Sequence, residues 1–252
     1  MKVSNYKKYG INMAQIWFCD DLIEAKDVIT ADIALFMETK IMCDKYKGNS
    51  KPFTTSVIDL GRSEDTILGG INKTVRYEIR RAGRENIRYQ VYDSKEILSN
   101  KELVSQFEYT YNQMYKAKGL PDRLNKNRFY SYAKADMMVL TVAYKDNELL
   151  VFHSYIYGDK MARLYQSASC FRSNKEQSYL IGIANKGLHW HDITHFKADG
   201  AVEYDWGGIS NPENPNGIDK FKLNLGGTIV TRYNVLIPLT IKGKIACYIK
   251  KF

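Results

Sequence analysis

The chain lacks several features that would assign it to whole classes of protein. None of its 252 residues belongs to an apolar run long enough to span a bilayer, and the N-terminal segment Met1–Tyr6 has no apolar signal region. There is no internal repeat and no low-complexity tract. These absences argue against a membrane-spanning, secreted or repeat protein, so we expect a cytoplasmic protein without a transmembrane segment.

Recognisable metal-ligand spacing is also missing. The chain has four widely separated cysteines, Cys19, Cys43, Cys170 and Cys247. His191 and His195 stand four residues apart in a predicted helix, where both could reach one ion, but no glutamate lies between them in the metalloprotease pattern. We interpret the cysteines as buried or incidental thiols. We interpret these two histidines and His189 as helix-surface or core residues, and we predict no metal site.

Composition indicates a folded, basic protein. With 44% hydrophobic and 13% aromatic residues, the chain can bury a sizeable core in one large domain or two small ones. A net charge of +9 favours anionic partners: nucleic acid, nucleotide-linked substrates, coenzyme A or an acidic membrane surface. Charge does not choose among them, and a basic face without a partner is also common.

The C-terminal half carries the clearest structural pattern. Short polar turns at 145–147 and 158–160 separate three strand-like runs within 137–169, which predicts an antiparallel meander. A long helix over 178–197 follows, with Asn174 and Gln177 as a capping arrangement at its start. A strand over 201–206, a short helix and a last strand over 228–238 complete this half.

The N-terminal half predicts strands at 16–19, 33–37, 54–60 and 87–92, a loop at 44–52, and helices at 102–116 and 127–135. Ser63 opens a further helix that continues to about Gly83. One face of it carries a basic stripe, defined as Lys73, Arg76, Arg80 and Arg84. Arginine suits phosphate, so the stripe is a candidate anion site. A solvated helix face partly paired with glutamates is the alternative.

One segment concentrates residues suited to chemistry. Tyr204-Asp205-Trp206-Gly207-Gly208-Ile209 ends a strand, and after a loop rich in Pro, Asn and Gly come Gly217–Lys222 and Gly226–Gly227. Glycines let a backbone approach a ligand closely, because they carry no Cβ. Lysine is a compact, mobile cation suited to an oxygen that becomes negative. A strand, turn and helix with an exposed lysine is the alternative interpretation.

These residues resemble the Fem-type branch of the GNAT acyltransferase superfamily. The branch includes the peptidoglycan interpeptide-bridge aminoacyltransferases and related acyltransferases of polysaccharide biosynthesis. The resemblance spans about 53–236, and upstream it includes Thr55–Leu60 and Arg76–Ala82. It implies a mixed α+β, GNAT-like fold with a central, mostly antiparallel, twisted sheet flanked by helices. We expect a reduced N-terminal GNAT-like portion over 1–98 and a catalytic domain over 99–252.

The resemblance also implies roles for individual residues. It associates Lys222 with stabilisation of the tetrahedral oxyanion and Phe221 with shaping a dry donor pocket. Asp205 is our candidate for accepting a proton from the acceptor amine or orienting that amine; capping the glycine turn is its alternative role. Tyr204 is a weaker candidate for the leaving-group proton. The residues expected to bind substrate are Tyr204, Trp206, Gly207, Gly208, Arg76 and Arg80.

The acyl donor stays open at this stage. Acetyl-CoA-using GNAT proteins usually carry a glycine-rich pyrophosphate loop before the long helix, whereas 170–177 here has no glycine. The helix start with Arg172 and Lys175 could still hold a donor phosphate. We expect no bound cofactor, with acyl-CoA or aminoacyl-tRNA as donor.

The sequence therefore predicts an N-acyltransferase that acts on an amine of a sugar nucleotide or a cell-envelope polysaccharide precursor. An aminoacyl-tRNA-dependent peptidoglycan-bridge enzyme is the first alternative, although no segment is typical of a coiled-coil arm. The second alternative is a non-enzymatic basic module that binds nucleic acid or a membrane surface.

Overall fold

The structure is a computed structural model that describes residues 1–27, 29–42, 49–121, 123–169 and 177–250. Its strands are β1 Lys2–Lys8, β2 Ile11–Trp17, β3 Ile33–Thr39, β4 Ser50–Asp59, β5 Arg88–Tyr92, β6 Met138–Lys145, β7 Glu148–Gly158, β8 Met161–Ser169, β9 Glu203–Gly208 and β10 Thr228–Pro238. Its helices are α1 Leu22–Asp27, α2 Glu64–Gly69, α3 Lys73–Arg84, α4 Ser94–Ser99, α5 Lys101–Ala117, α6 Lys126–Lys134, α7 Ser178–Ala198, α8 Gly217–Asn224 and α9 Ile241–Lys250.

The chain divides into two compact units. The first combines the two ends of the chain, Met1–Thr55 and Ile229–Phe252, and the second is the continuous stretch Ser56–Thr228. The boundary expected after residue 98 falls inside the second unit, and the assignment of GNAT-like halves to 1–98 and 99–252 stays a prediction.

The first unit is built on four neighbouring strands in the order β1-β2-β3-β10. The β2–β3 pair is parallel, and the β1–β2 and β3–β10 pairs are antiparallel. Ile16, Ala34, Phe36 and Val235 from three of these strands form the buried core, which Leu22 of α1 completes. The strong alternation of burial expected of a one-sided sheet is absent from β2, whose last five residues are all buried.

The second unit holds strands in the order β4-β9-β8-β7-β6-β5. The predicted meander is confirmed: β6 pairs with β7, and β7 with β8, both antiparallel. The β8–β9 pair is parallel and short, running only from Met161 opposite Glu203 to Arg163 opposite Asp205. The pairing therefore ends at Asp205, before the glycines that close β9.

Helix α7 is the central helix of this unit. Ile193 and Phe196 pack in one core cluster with Tyr155 and Trp206, while Ile183 and Leu188 pack in a second. The same helix crosses α3 so closely that Gly187 has no room for a side chain. Such a small residue lets two helix backbones approach, which fixes the position of α3.

The predicted single helix from Ser63 to about Gly83 is wrong. Ser63 does cap a helix by accepting a hydrogen bond from the Thr66 N–H, but that helix ends at Gly69. Asn72 then caps α3 through the Thr74 N–H. Ser63 and Asn72 each satisfy unpaired backbone N–H groups at the start of a separate helix, so the chain forms two helices instead of one. Ile71 is buried in the turn between α2 and α3.

Other elements differ in extent from the predictions. The sequence analysis did not predict β1, α1, α4 or α9, whose short or mostly exposed segments give weak periodic signals. Ser50, Lys51 and Pro52, predicted in a loop, belong to β4, while 43–48 lie outside the described residues. Helix α7 begins after Gln177 without a side-chain cap, and Asn174 lies outside the described residues.

The predicted fold class is confirmed. The chain is a mixed α+β protein, and of the strand pairs between β5 and β9 only one is parallel. Within the described parts of the chain, no helix is both long and apolar enough to cross a bilayer.

Replacing Gly187 with alanine should destabilise the protein. The new Cβ would lie 2.7 Å from the Cβ of Ala82 and would also strike the Tyr89 hydroxyl. Overpacking of this kind typically costs about 1–3 kcal/mol. Gly83→Ala is the matched control, because nothing lies within 4 Å of its added Cβ, and alanine in a helix is favoured over glycine by about 1 kcal/mol. The free energy of unfolding, measured by chemical denaturation, should be higher than wild type for Gly83→Ala and lower for Gly187→Ala. The reverse order would contradict this packing.

Candidate active site

The loop between β9 and α8 is held rigidly by hydrogen bonds. Buried Asp219, in the first turn of α8, accepts from the N–H and hydroxyl groups of Ser210. Asn216 caps α8 by accepting from the backbone N–H groups of Ile218 and Asp219, and its amide donates to the Ser210 hydroxyl at 2.7 Å. These bonds lower the pKa of the Asp219 carboxyl, although its burial opposes them. The loop therefore fixes where α8 begins.

Helix α8 brings the predicted Phe221 and Lys222 to the end of β9. The Lys222 Nζ donates to the Gly208 carbonyl over 2.7 Å, so the ammonium lies at the last residue of the strand. Lys222 and Phe221 are both half-buried. A cation that is only partly solvated acts more strongly on a neighbouring charge than one in bulk water.

Aromatic rings from β9 and α8 surround the side chain of His189 on α7. The Trp206 ring lies 5.0 Å from the imidazole and the Phe221 ring 5.6 Å, measured between centroids. The Tyr204 hydroxyl lies 3.4 Å from His189 Nδ1. Three predicted site residues therefore meet around a histidine that the sequence analysis interpreted only as a surface or core residue.

Asp205 and Gly207 form a tight turn. Asp205 is buried, and its Oδ1 accepts from the Gly207 N–H at 2.7 Å, which is the capping role considered as its alternative. Gly207 has φ +71°, and a Cβ there would lie 2.9 Å from the Leu164 carbonyl oxygen. Only glycine fits this position without strain. The role of Asp205 as a proton acceptor stays a prediction.

A buried polar network extends inward from His189. Tyr204 and Tyr155 share a 2.9 Å hydrogen bond between their hydroxyls, and Tyr155 donates to Asp192 Oδ2 at 2.6 Å. The same oxygen faces His153 Nδ1 at 2.8 Å, and His153 Nε2 faces the Asn185 side-chain oxygen, also at 2.8 Å. This buried network is defined as His153, Tyr155, Asn185, His189, Asp192 and Tyr204.

The network is built for hydrogen bonding rather than for an ion. His153, His189 and Asp192 each offer a ligand atom within 4.8 Å of the others. However, the two imidazole rings stack at 3.9 Å with only 21° between their planes. Imidazole lone pairs lie in the ring plane, so nearly parallel stacked rings cannot direct both at one ion. His191 and His195 are also parallel, with 4° between planes and 6.1 Å between centroids.

Electrostatics sets the protonation of the network. Burial would raise the pKa of the Asp192 carboxyl, but the hydrogen bonds from His153 and Tyr155 outweigh it and leave that pKa lowered. Burial lowers the pKa of His189, and its electrostatic interactions with His153 and Lys222 lower it further, against the opposing charge of Asp192. Burial raises the pKa values of Tyr155 and Tyr204. Asp192 is therefore ionised, and His189 and the tyrosines are neutral.

The remaining predicted site residues lie elsewhere or are not described. Arg76 donates to the Gly69 carbonyl at 2.9 Å, at the turn between α2 and α3, and Arg80 is exposed one helical turn further on. Among the described residues, neither arginine forms a hydrogen bond with Lys222. Their substrate-binding role stays a prediction. Arg172 and Lys175 lie outside the described residues.

The glycine pair after α8 borders a cavity of about 240 Å³. It is lined by Val57, Ile58, Asp59, Arg62, Thr66, Ile67, Gly70, Gly226, Gly227 and Thr228. A Cβ on Gly227, whose φ is +110°, would lie 2.6 Å from Ser56 Oγ. Trp206 Nε1 donates to the Gly226 carbonyl at 3.0 Å, which ties this turn to the rings around His189.

The buried network was not predicted, although the spacing of its residues in the sequence carries a signal for it. His153 and Tyr155 are two residues apart on β7 and therefore face the same side. Asn185, His189 and Asp192 are spaced four and three residues apart on α7, so they share one helix face. Polar residues that recur at these spacings within apolar elements indicate a buried polar cluster, but only the fold shows that the strand and the helix meet.

The architecture defines a Fem-type, GNAT-like fold, which confirms the fold and the resemblance predicted from the sequence. FemX superposes with a TM-score of 0.68 at 12% identity, over 99% of this chain and 86% of that one. The C-terminal domain of a lysylphosphatidylglycerol synthetase candidate from Agrobacterium fabrum gives 0.58 at 12% identity, covering 98% and 83% of the two chains. L-PGS from Bacillus licheniformis gives 0.56 at 11%, covering 98% and 84%. No family model and no curated protein matches the chain.

The lowered pKa of His189 makes stability depend on pH. Below the unfolded pKa of about 6.5, the unfolded chain binds a proton that the folded imidazole does not, so the free energy of unfolding falls as pH falls. This histidine contributes a slope of at most about 1.4 kcal/mol per pH unit. Denaturation between pH 7.5 and 5 should show a shallower slope for His189→Gln. The pKa of His195 is also lowered by burial, so part of the slope should remain. Equal slopes in variant and wild type would contradict a neutral His189.

Proposed function

We propose that this protein is an acyltransferase that moves an activated acyl group onto an amine of a sugar nucleotide or another cell-envelope precursor. The observation that carries the proposal is the hydrogen bond from Lys222 to the Gly208 carbonyl, 2.7 Å long. It holds a half-buried cation at the last residue of β9, past the end of the β8–β9 pairing and next to Phe221 in the chain.

The chemistry of acyl transfer fits this arrangement. Attack of an amine on an acyl carbon produces a tetrahedral centre whose oxygen becomes negative. A fixed cation that interacts more strongly with this oxyanion than with the ground state lowers the barrier by on the order of 3 kcal/mol. We assign this role to Lys222, and we assign to Phe221 the exclusion of water from the donor.

The donor is part of the proposal. Acyl-CoA and aminoacyl-tRNA are both polyanions that suit a chain of net charge +9. The name lysylphosphatidylglycerol synthetase describes an aminoacyl group carried by a lipid headgroup. That likeness supports an aminoacyl-tRNA-dependent transferase as the second candidate, with a lipid-linked or peptidoglycan-type acceptor.

Replacing Lys222 with methionine tests the proposal. The variant keeps the length of the side chain but removes the charge, so turnover should fall on the order of 100-fold while the melting temperature stays near wild type. The assay pairs acyl-CoAs or aminoacyl-tRNA with UDP- or dTDP-linked amino sugars, and product is measured by mass spectrometry.

Lys220→Met is the matched control, because Lys220 is exposed on the same helix. It should retain turnover. Wild-type turnover in Lys222→Met would remove this lysine from the mechanism. A wild-type protein that transfers no acyl group from either donor class would sink the function itself.

A further inference from the structure

His189 presents an unused hydrogen-bonding atom at the candidate site. The side chain is only 1% exposed, and its Nδ1 faces the Tyr204 hydroxyl. Among the described residues, none forms a hydrogen bond with Nε2. Nε2 is not one of the fully buried side-chain atoms that lack a partner, so it keeps a small accessible area. A ligand atom can therefore form a hydrogen bond with it.

The buried network fixes the tautomer of His189. The ionised Asp192 can only accept, so Tyr155 donates its single hydroxyl proton to Oδ2. The Tyr155 oxygen must then accept, which makes Tyr204 the donor in the 2.9 Å bond between the two hydroxyls. Tyr204 has no second proton, so the bond to His189 requires a proton on Nδ1. The in-plane lone pair of the neutral ring is therefore on Nε2.

The surroundings keep this lone pair available. Burial, together with electrostatic interactions with His153 and Lys222, holds the pKa of His189 well below its usual range. The imidazole is therefore uncharged at neutral pH and can accept a hydrogen bond. Trp206 and Phe221 pack against the ring, so His189 lies beside the residue assigned to the donor, Phe221.

We propose that His189 Nε2 accepts the proton of the attacking amine, in a tautomer that Asp192 sets through Tyr155 and Tyr204. This role rests on the proposed acyl transfer. The amine nitrogen forms the new C–N bond, and its proton passes to Nε2 while Lys222 stabilises the oxyanion. The tetrahedral centre then collapses, and the bond to the ester oxygen or thioester sulfur of the donor breaks. The leaving group takes that electron pair and receives the proton back from His189.

The hydrogen bonds made by the two residues favour His189 over Asp205 as the proton acceptor. The Asp205 carboxylate accepts from the Gly207 N–H and shapes the glycine turn, whereas His189 Nε2 has no such bond within the described chain. Tyr204 orients His189 directly, and Asp192 orients it through Tyr155 and Tyr204. Both are positioning residues, because neither needs to touch substrate.

The tautomer can be measured without any substrate. The chain has four histidines, so long-range proton–nitrogen NMR of ¹⁵N-labelled protein can be assigned with one His→Gln variant at a time. At pH 7.5 the expected result is a neutral His189 that carries its proton on Nδ1, and Tyr204→Phe should loosen this preference. A proton on Nε2, or a charged imidazole, would overturn the proposal.

Kinetics tests the catalytic step itself. His189→Gln should lower kcat/KM on the order of 100-fold, the usual range for loss of a general base. His195→Gln, a half-buried histidine on the same helix, should retain wild-type kcat/KM. If His189→Gln lowers the melting temperature, the test uses Tyr204→Phe instead. That variant removes only one oxygen and should also lower kcat/KM.

Each outcome separates the two proposals. Wild-type kcat/KM in a folded His189→Gln protein overturns the role of His189 but leaves the acyltransferase intact. Absence of transfer by the wild-type protein overturns the acyltransferase, and the role of His189 with it, whichever tautomer NMR finds.

Discussion

The buried carboxylate of Asp192 is the interaction on which the interior of the second unit depends. A carboxylate removed from water is strongly destabilising unless it is paired and hydrogen-bonded. Asp192 Oδ2 receives bonds from His153 and Tyr155, so one helix residue is joined to two residues of β7. Removing either partner would leave this buried charge with one hydrogen bond fewer. This requirement sets the position of α7 against the sheet more narrowly than apolar packing alone.

The position of α7 in turn orders the surface where the candidate site lies. Tyr204 connects the network to β9, and the rings of Trp206 and Phe221 close around His189. Hydrogen bonds within the loop before α8 then bring Lys222 to the Gly208 carbonyl. Rigid support of this kind suits acyl transfer, because a cation stabilises an oxyanion only where it is already in place.

Much of this could be predicted from local sequence, and the limits have physical causes. The meander followed from short polar turns between β-rich runs, and the position of α8 from the loop rich in Pro, Asn and Gly before it and the glycines after it. The break between α2 and α3 was missed because apolar spacing continues through Ile71, while two competing caps decide the structure. Short elements such as α1 and α4 have too few residues to establish a period.

The candidate site shows the same division. Lys222, Phe221, Tyr204 and Trp206 were predicted as a group. The structure brings Tyr204, Trp206 and Phe221 together around one imidazole and places Lys222 at the Gly208 carbonyl. The partnership of His153 with Asp192 could not be predicted, because 39 residues separate them and only the packing of a helix on a sheet makes them neighbours. Hydrogen bonds between distant residues depend on tertiary geometry, which no local pattern encodes.

The division of the chain has a consequence for the order of folding. β3 and β10 pair across a sequence separation of 194 residues, at Thr39 and Tyr233. During synthesis, the continuous segment Ser56–Thr228 emerges completely before the last strand of the first unit exists. If that segment collapses first, it shortens the effective loop that β3 and β10 must close, and so reduces the entropy lost in joining them. Strand β3, whose other neighbour β2 is made at once, therefore waits longest for its second partner β10, and its unpaired edge is the part of the nascent chain most open to mispairing.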